Sequence, residues 1–162
     1  MNIINPLPLS ERIGEAIKAA LLAVVEDGVN YSITPDATEV KFVEDFNVDK
    51  LPSKKQLVYW ILEGDHKPQE KGGKTFEYTD YLSIFAAWRE PVPYGSAPAR
   101  KTIRNLIIED IHRALTKDVQ LGGLVRNTEA TEFSRDIRLD NTVPWTAVSA
   151  FIVVTSRETR FV

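Results

Sequence analysis

The stretch QLVYWILEG, residues 56–64, has no polar position between Leu57 and Leu62. Side chains alternate between the two faces of a strand, so a strand made of these residues needs cover on both sides. The segment therefore reads as a central strand of a sheet. After it comes DHKPQEKGGK, a polar tip with a Gly-Gly pair, and then a long strand-like run from Thr75 to Trp88. Two strand patterns joined by such a tip predict a β-hairpin with a longer loop and a sheet that is at least partly antiparallel.

Other segments supply further strands. In TEVKFVE, Thr38, Val40 and Phe42 alternate with Glu39 and Lys41, as in a half-buried strand. From Thr131, TEFSRDIRLD places Phe133, Ile137 and Leu139 on one face and Glu132, Ser134, Asp136 and Arg138 on the other. Arg135 falls on the apolar face, where it either snorkels or pairs with a carboxylate near a sheet edge. WTAVSAFIVVTSR is apolar on both faces and reads as a second interior strand.

Two segments have helical spacing. Ser10 is placed to cap a first helix, Glu11 suits its positive end, and Ile13, Ala16, Ile17, Ala20, Leu21 and Val24 form one stripe until Asp27-Gly28 ends the pattern. Pro6 and Pro8 make residues 1–9 an extended arm. REPVPYGSAPAR breaks the strand pattern; Ser96 can cap a second helix beginning near Pro98, with Ile103, Leu106, Ile107, Ile111, Ala114 and Leu115 as its stripe. The expected fold is α/β of the α+β type: a single domain, residues 10–162 after the arm, with two main helices on a mostly antiparallel mixed sheet of about five or six strands. A length of 162 residues fits one well-filled core.

Chemistry is sparse. No cysteine is present, which excludes disulfides, thiolate zinc sites and cysteine nucleophiles. A net charge of −3 offers no sequence-wide cationic surface for phosphates, although a local basic patch escapes that test. No run approaches the roughly 18 apolar residues of a membrane span, and the N-terminus lacks the pattern of a secretory signal. His66 and His112 have no second histidine at ligand spacing and read as solvated. The pairs Glu26-Asp27, Glu44-Asp45 and Glu109-Asp110 read as solvated faces, because adjacent carboxylates point apart. Gly122-Gly123 follows a helix, whereas a phosphate-binding loop lies between a strand and a helix and ends in GK[ST], so LGGL reads as a turn packed by Leu121 and Leu124. The expectation is a protein that is not an enzyme, with no catalytic, cofactor or metal residues.

The order of these pieces, with RALTKDVQLGGLV, then TEFSRDIRLD, then AFIVVTSRETR, is similar to the tail terminator (minor tail, tail completion) proteins of long-tailed bacteriophages. The likeness runs from Ser10 onward; the arm and the HKPQEKGGK tip have no counterpart in it. It implies a structural virion protein, a homohexameric ring at the head-proximal end of the tail, assembled in the host cytoplasm. Its implied partners are copies of itself, the tail tube protein and the head-tail connector or neck protein, with DNA only as passing cargo and no membrane. Candidate contacts follow from exposure: Lys67, Lys71 and Lys74 on the hairpin tip, Pro91, Tyr94 and Arg100 on the proline-rich loop, and Arg135. Charge is uneven along the chain, with a balance of −5 over residues 1–90 and +2 over 91–162, as complementary faces or a division without structural meaning would both allow. A head-completion or neck protein, and a small ligand-binding or enzymatic domain, stand as alternatives.

Overall fold

The computed structural model describes residues 7–92, 95, 97–135 and 145–159. Five strands form one sheet in the order β1-β2-β3-β5-β4: β1 (Val40–Phe42), β2 (Leu57–Glu70), β3 (Thr75–Arg89), β4 (Asn127–Ser134) and β5 (Trp145–Thr159). β1 runs parallel to β2, and every other neighbouring pair is antiparallel. Two helices, α1 (Leu9–Leu22) and α2 (Arg100–Thr116), complete the α+β fold that the sequence predicts.

Both helices lie on the same face. Ile13, Ile17 and Leu21 of α1 and Ile103, Ile107, Ile111 and Leu115 of α2 pack onto Leu57, Tyr59 and Ile61 of β2, Leu82, Ile84 and Ala86 of β3, and Val148, Ala150 and Ile152 of β5. A second, smaller cluster sits on the opposite face, where Val58, Trp60, Phe85, Ala87, Trp145 and Ala147 are covered by Val43, Phe46 and Leu51 of the β1–β2 connection. Residues 57–61 at the start of β2 thus have cover on both sides, one helical and one from a loop.

Several local boundaries differ from expectation. α1 begins at Leu9, with Ser10 inside its first turn and no side-chain cap, and it ends at Leu22. Asp27 instead organises the loop that follows. Its Oδ1 accepts from the backbone N–H groups of Val29, Asn30 and Tyr31, and these bonds, that from Tyr31 foremost, hold the carboxyl well below the usual carboxylate range. α2 begins at Arg100 after Ala99, again without a side-chain cap, and Ser96 lies outside the described residues. Of TEVKFVE only Val40–Phe42 pairs, because Ala37–Glu39 form a 3-10 turn. β4 begins at Asn127, earlier than Thr131, and Ile137 to Leu139 lie outside the described residues.

The LGGL segment is a turn. Asp118 accepts from the N–H groups of Gln120 and Gly122, while Leu121, Gly122 and Gly123 take φ values of 50°, 71° and 85°. Three successive left-handed residues reverse the chain between α2 and β4, and glycine adopts that conformation without a Cβ penalty. Leu121 and Leu124 pack against the main core.

Asp110 contradicts the solvated reading of the Glu109-Asp110 pair, since it is only 1% exposed. Its carboxylate accepts from Ser32 N–H at 3.0 and 3.1 Å and from Ile33 N–H at 3.0 Å, fastening the α1–β1 connection to the middle of α2. Burial raises its pKa, opposed by those two amides and by Arg113. Replacing Asp110 by Ala leaves both amides without an acceptor, and urea unfolding is expected to show a loss of about 1–3 kcal/mol for each amide that water does not reach. Asp110→Asn, which keeps an acceptor oxygen, is expected to lose less. By contrast, the buried Tyr59 hydroxyl has no hydrogen-bond partner. Tyr59→Phe is therefore expected to leave the unfolding midpoint unchanged or raise it.

Candidate contact surfaces

The hairpin of β2 and β3 is longer than the sequence suggests. Residues 65–70, read as part of a polar tip, are strand: His66 pairs with Asp80, Pro68 with Tyr78 and Glu70 with Phe76, leaving only residues 71–74 to turn. With 14 and 15 residues, the strands extend roughly 45 Å at about 3.3 Å per residue. Pro68, which has no N–H to donate, is tolerated because β1 pairs with β2 only at residues 59–61, so the outer edge beyond is unpaired among the described residues.

A bulge divides the hairpin. The register slips between Glu63 and His66, so that Gly64 and Asp65 lie opposite Tyr81 alone. A Cβ on Gly64 would lie 2.8 Å from the Tyr81 carbonyl oxygen, so glycine is required there. Residues 57–61 are all buried, whereas residues 63–70 are all exposed. The distal half of the hairpin is a ribbon with one exposed strand, β2, while β3 stays paired with β5 as far as Thr75 and Thr159.

The predicted tip lysines all lie on this ribbon, but two are engaged within the chain. Lys67 lies 3.7 Å from Asp65 and over the Tyr81 ring, and Lys71 lies 3.9 Å from Glu77. Lys74 is exposed, with no ion pair among the described residues. Pro91, Arg100 and Arg135 gather at the other end of the sheet. Pro91 is exposed, Arg100 lies 3.7 Å from Glu90, and Arg135 Nε donates to Asn105 Oδ1 at 3.1 Å, an amide in place of the expected carboxylate. Tyr94 lies outside the described residues. The seven candidates thus do not converge.

Sequence reading did not single out the face opposite the helices. The β1–β2 connection covers only the half nearest the start of β2, and towards the ribbon Tyr81 is 40% and Phe151 43% exposed. Tyr81 pairs with Val153 and Ser83 with both Leu62 and Phe151, which makes an apolar stripe running across three strands. β5 is therefore interior to the sheet but not covered on both faces along its whole length. The stripe has unlike rims. Glu129 and Glu132 of β4 sit opposite Val153 and Phe151, and Lys67 lies on the β2 side, over Tyr81.

His66 is another correction. It is paired, Nδ1 lying 2.7 Å from Oδ1 of the buried Asp80, and its ring stacks on Tyr78 at 4.9 Å. It faces a groove of about 480 Å³ between the start of α1 and the ribbon, lined also by Pro8, Ser10, Arg12 and Glu158. Nearby, Asp80 Oδ2 and Ser156 Oγ are buried without hydrogen-bond partners. This fixes an imidazole at the base of the ribbon. His112 is exposed, as expected, and meets Phe133 edge-on. No group of three His, Cys, Asp or Glu side chains among the described residues is arranged to hold a metal ion. The chain matches no protein-family model and no curated protein sequence.

Glu63 lies at the bulge against α1, where a Cβ on Gly14 would come within 2.7 Å of its Oε1. Its pKa is raised, first by burial and then by Glu11, Asp80 and Glu15. A carboxyl with a raised folded-state pKa costs stability when ionised; that cost is full above the folded value and vanishes below the unfolded value of about 4.3. Glu63→Gln is expected to raise the thermal midpoint at pH 7, by an amount that shrinks as the pH is lowered towards 4. A gain that grew on acidification would contradict this origin.

Proposed function

We propose that the chain is a structural subunit that joins copies of itself head-to-tail into a ring, in the manner of phage tail terminators. In this reading the ring caps the head-proximal end of a tail tube, ends its polymerisation and offers a surface to the head connector, with DNA passing through. The observation that supports it is the open apolar stripe of Leu62, Tyr81, Phe151 and Val153, between unlike rims.

A closed ring needs two different patches per subunit, each complementary to the other. The sheet supplies such a difference laterally: an unpaired β2 edge carrying Lys67 on one side, and the β4 edge carrying Glu129 and Glu132 on the other. Exposed aromatic side chains are the residue class that anchors protein interfaces. The resemblance in DVQLGGLV and the two closing strands adds the phage context, and the open stripe adds a physical reason for self-association.

Light scattering over a concentration series, followed by negative-stain imaging of the largest species, tests the reading. Closed rings of about six subunits are expected, with the assembly midpoint moved at least about tenfold higher in concentration by Phe151→Glu, which places a charge in the stripe; tenfold corresponds to about 1.4 kcal/mol. Rings unaffected by Phe151→Glu and Tyr81→Glu would move the contact elsewhere. A chain that stays monomeric at every concentration and ignores purified tube ends would reject the assignment.

A further inference from the structure

The structure gathers at one end of the sheet basic side chains that are scattered along the sequence. Lys54 and Lys55 precede β2, Arg89 ends β3, and Arg100, Lys101 and Arg104 lie in the first turns of α2. Three contacts fix the convergence. Arg89 N–H donates to the Gln56 carbonyl at 2.7 Å, Arg100 lies 3.7 Å from Glu90, and Arg104 Nη1 lies 3.5 Å from Oγ1 of Thr146, at the start of β5. Arg135, just beyond β4, joins them through Asn105. Two acidic side chains beside them are already engaged: Glu90 lies against Arg100, and Asp36 accepts from the N–H groups of Gln56 and Leu57. A chain with a net charge of −3 therefore carries a local cationic surface that its composition conceals.

We propose that this end of the sheet binds the phosphodiester backbone of nucleic acid. Its chemistry differs from that of the apolar stripe. Protein interfaces centre on desolvated aromatic side chains and are poor in lysine, whereas backbone phosphates are held by lysine and arginine without an apolar anchor. Here Lys54 and Lys101 are exposed, Lys55 is half-buried, and none of the three has an ion-pair partner among the described residues. Lys54, Lys55 and Arg89 line a notch of about 230 Å³, large enough for a phosphate group, with Glu90 and the exposed Val92 at its side. The open stripe with Tyr81 and Phe151 lies further along the sheet, leaving this end to charge. Binding of this kind is independent of base sequence and belongs to the single subunit, so it does not require the ring.

The test is fluorescence anisotropy of a labelled DNA duplex of about 20 base pairs titrated with the full chain between about 50 and 200 mM salt. Dissociation constants in the range of about 10⁻⁴–10⁻⁶ M are expected, weakening steeply with salt. The variant Lys54→Glu/Lys55→Glu/Lys101→Glu should bind at least about tenfold more weakly, with a log–log salt slope shallower by about one for each phosphate that is no longer neutralised. The charge-matched variant Lys71→Glu/Lys74→Glu/Lys117→Glu, away from this end of the sheet, should bind like the parent. Five of these six lysines are exposed and Lys55 is half-buried, and circular dichroism checks that both variants fold. No binding at about 50 mM salt, or equal weakening in the two variants, overturns the assignment. So does displacement of the duplex by polyglutamate at equal charge concentration, which would identify an acidic protein surface. Binding to anionic phosphatidylglycerol vesicles without binding to the duplex would identify a membrane and likewise overturn it.

Discussion

A five-stranded sheet has two faces to remove from water, and both helices of this chain pack on the same one. The consequences run through the whole structure. Val58, Trp60, Phe85, Ala87, Trp145 and Ala147 face away from the helices, and burying them falls to the β1–β2 connection through Val43, Phe46 and Leu51. That loop reaches only part of the face, so the stripe with Tyr81 and Phe151 remains open. Apolar surface left in water is a standing drive towards association, and on this chain it lies across the three longest strands. The helical face is closed more completely, and Asp110 secures it by tying Ser32 and Ile33 to α2.

Much of this architecture is legible in the sequence because hydrophobic periodicity is a local signal. The runs at 57–62 and 145–154 are apolar at both parities, and they become β2 and β5. The stripes from Ile13 to Leu21 and from Ile103 to Leu115 become the buried faces of the helices. Exact ends are less legible. Ser10 and Asp27 have the composition of helix boundaries, yet the helix is set by where Ile13, Ile17 and Leu21 meet the sheet, and Asp27 finds its amides in the next loop. Contacts between distant positions leave no local trace. Asp110 binds amides some 78 positions away, and His66 finds Asp80 only once the hairpin register is set.

Charge follows the same rule. Counting over halves of the chain separates residues 1–90 from 91–162, whereas folding mixes the halves: Lys54, Lys55 and Arg89 come from the first, Arg100, Lys101, Arg104 and Arg135 from the second. The result is a division by position in the sheet, with an apolar stripe rimmed by opposite charges along its open face and cations at the end where β2 begins. The two proposed contacts, with copies of the chain and with a polyanion, would not compete, because the two surfaces use different physics and different residues. Self-association through the stripe, with charge only at its rims, would depend on salt less steeply than phosphate contact at the end.

The bulge at Gly64 and Asp65 has a consequence for how the molecule can vary. On its near side each residue of β2 is fixed by what it buries; on its far side β2 is exposed and laddered to β3, which itself stays paired with β5. Adding or removing one residue from each strand, on either side of the turn, would change the ribbon's reach by about 3.3 Å while leaving the register near the core intact. The turn end of the hairpin is thus a place where length can change without disturbing the residues that set the core.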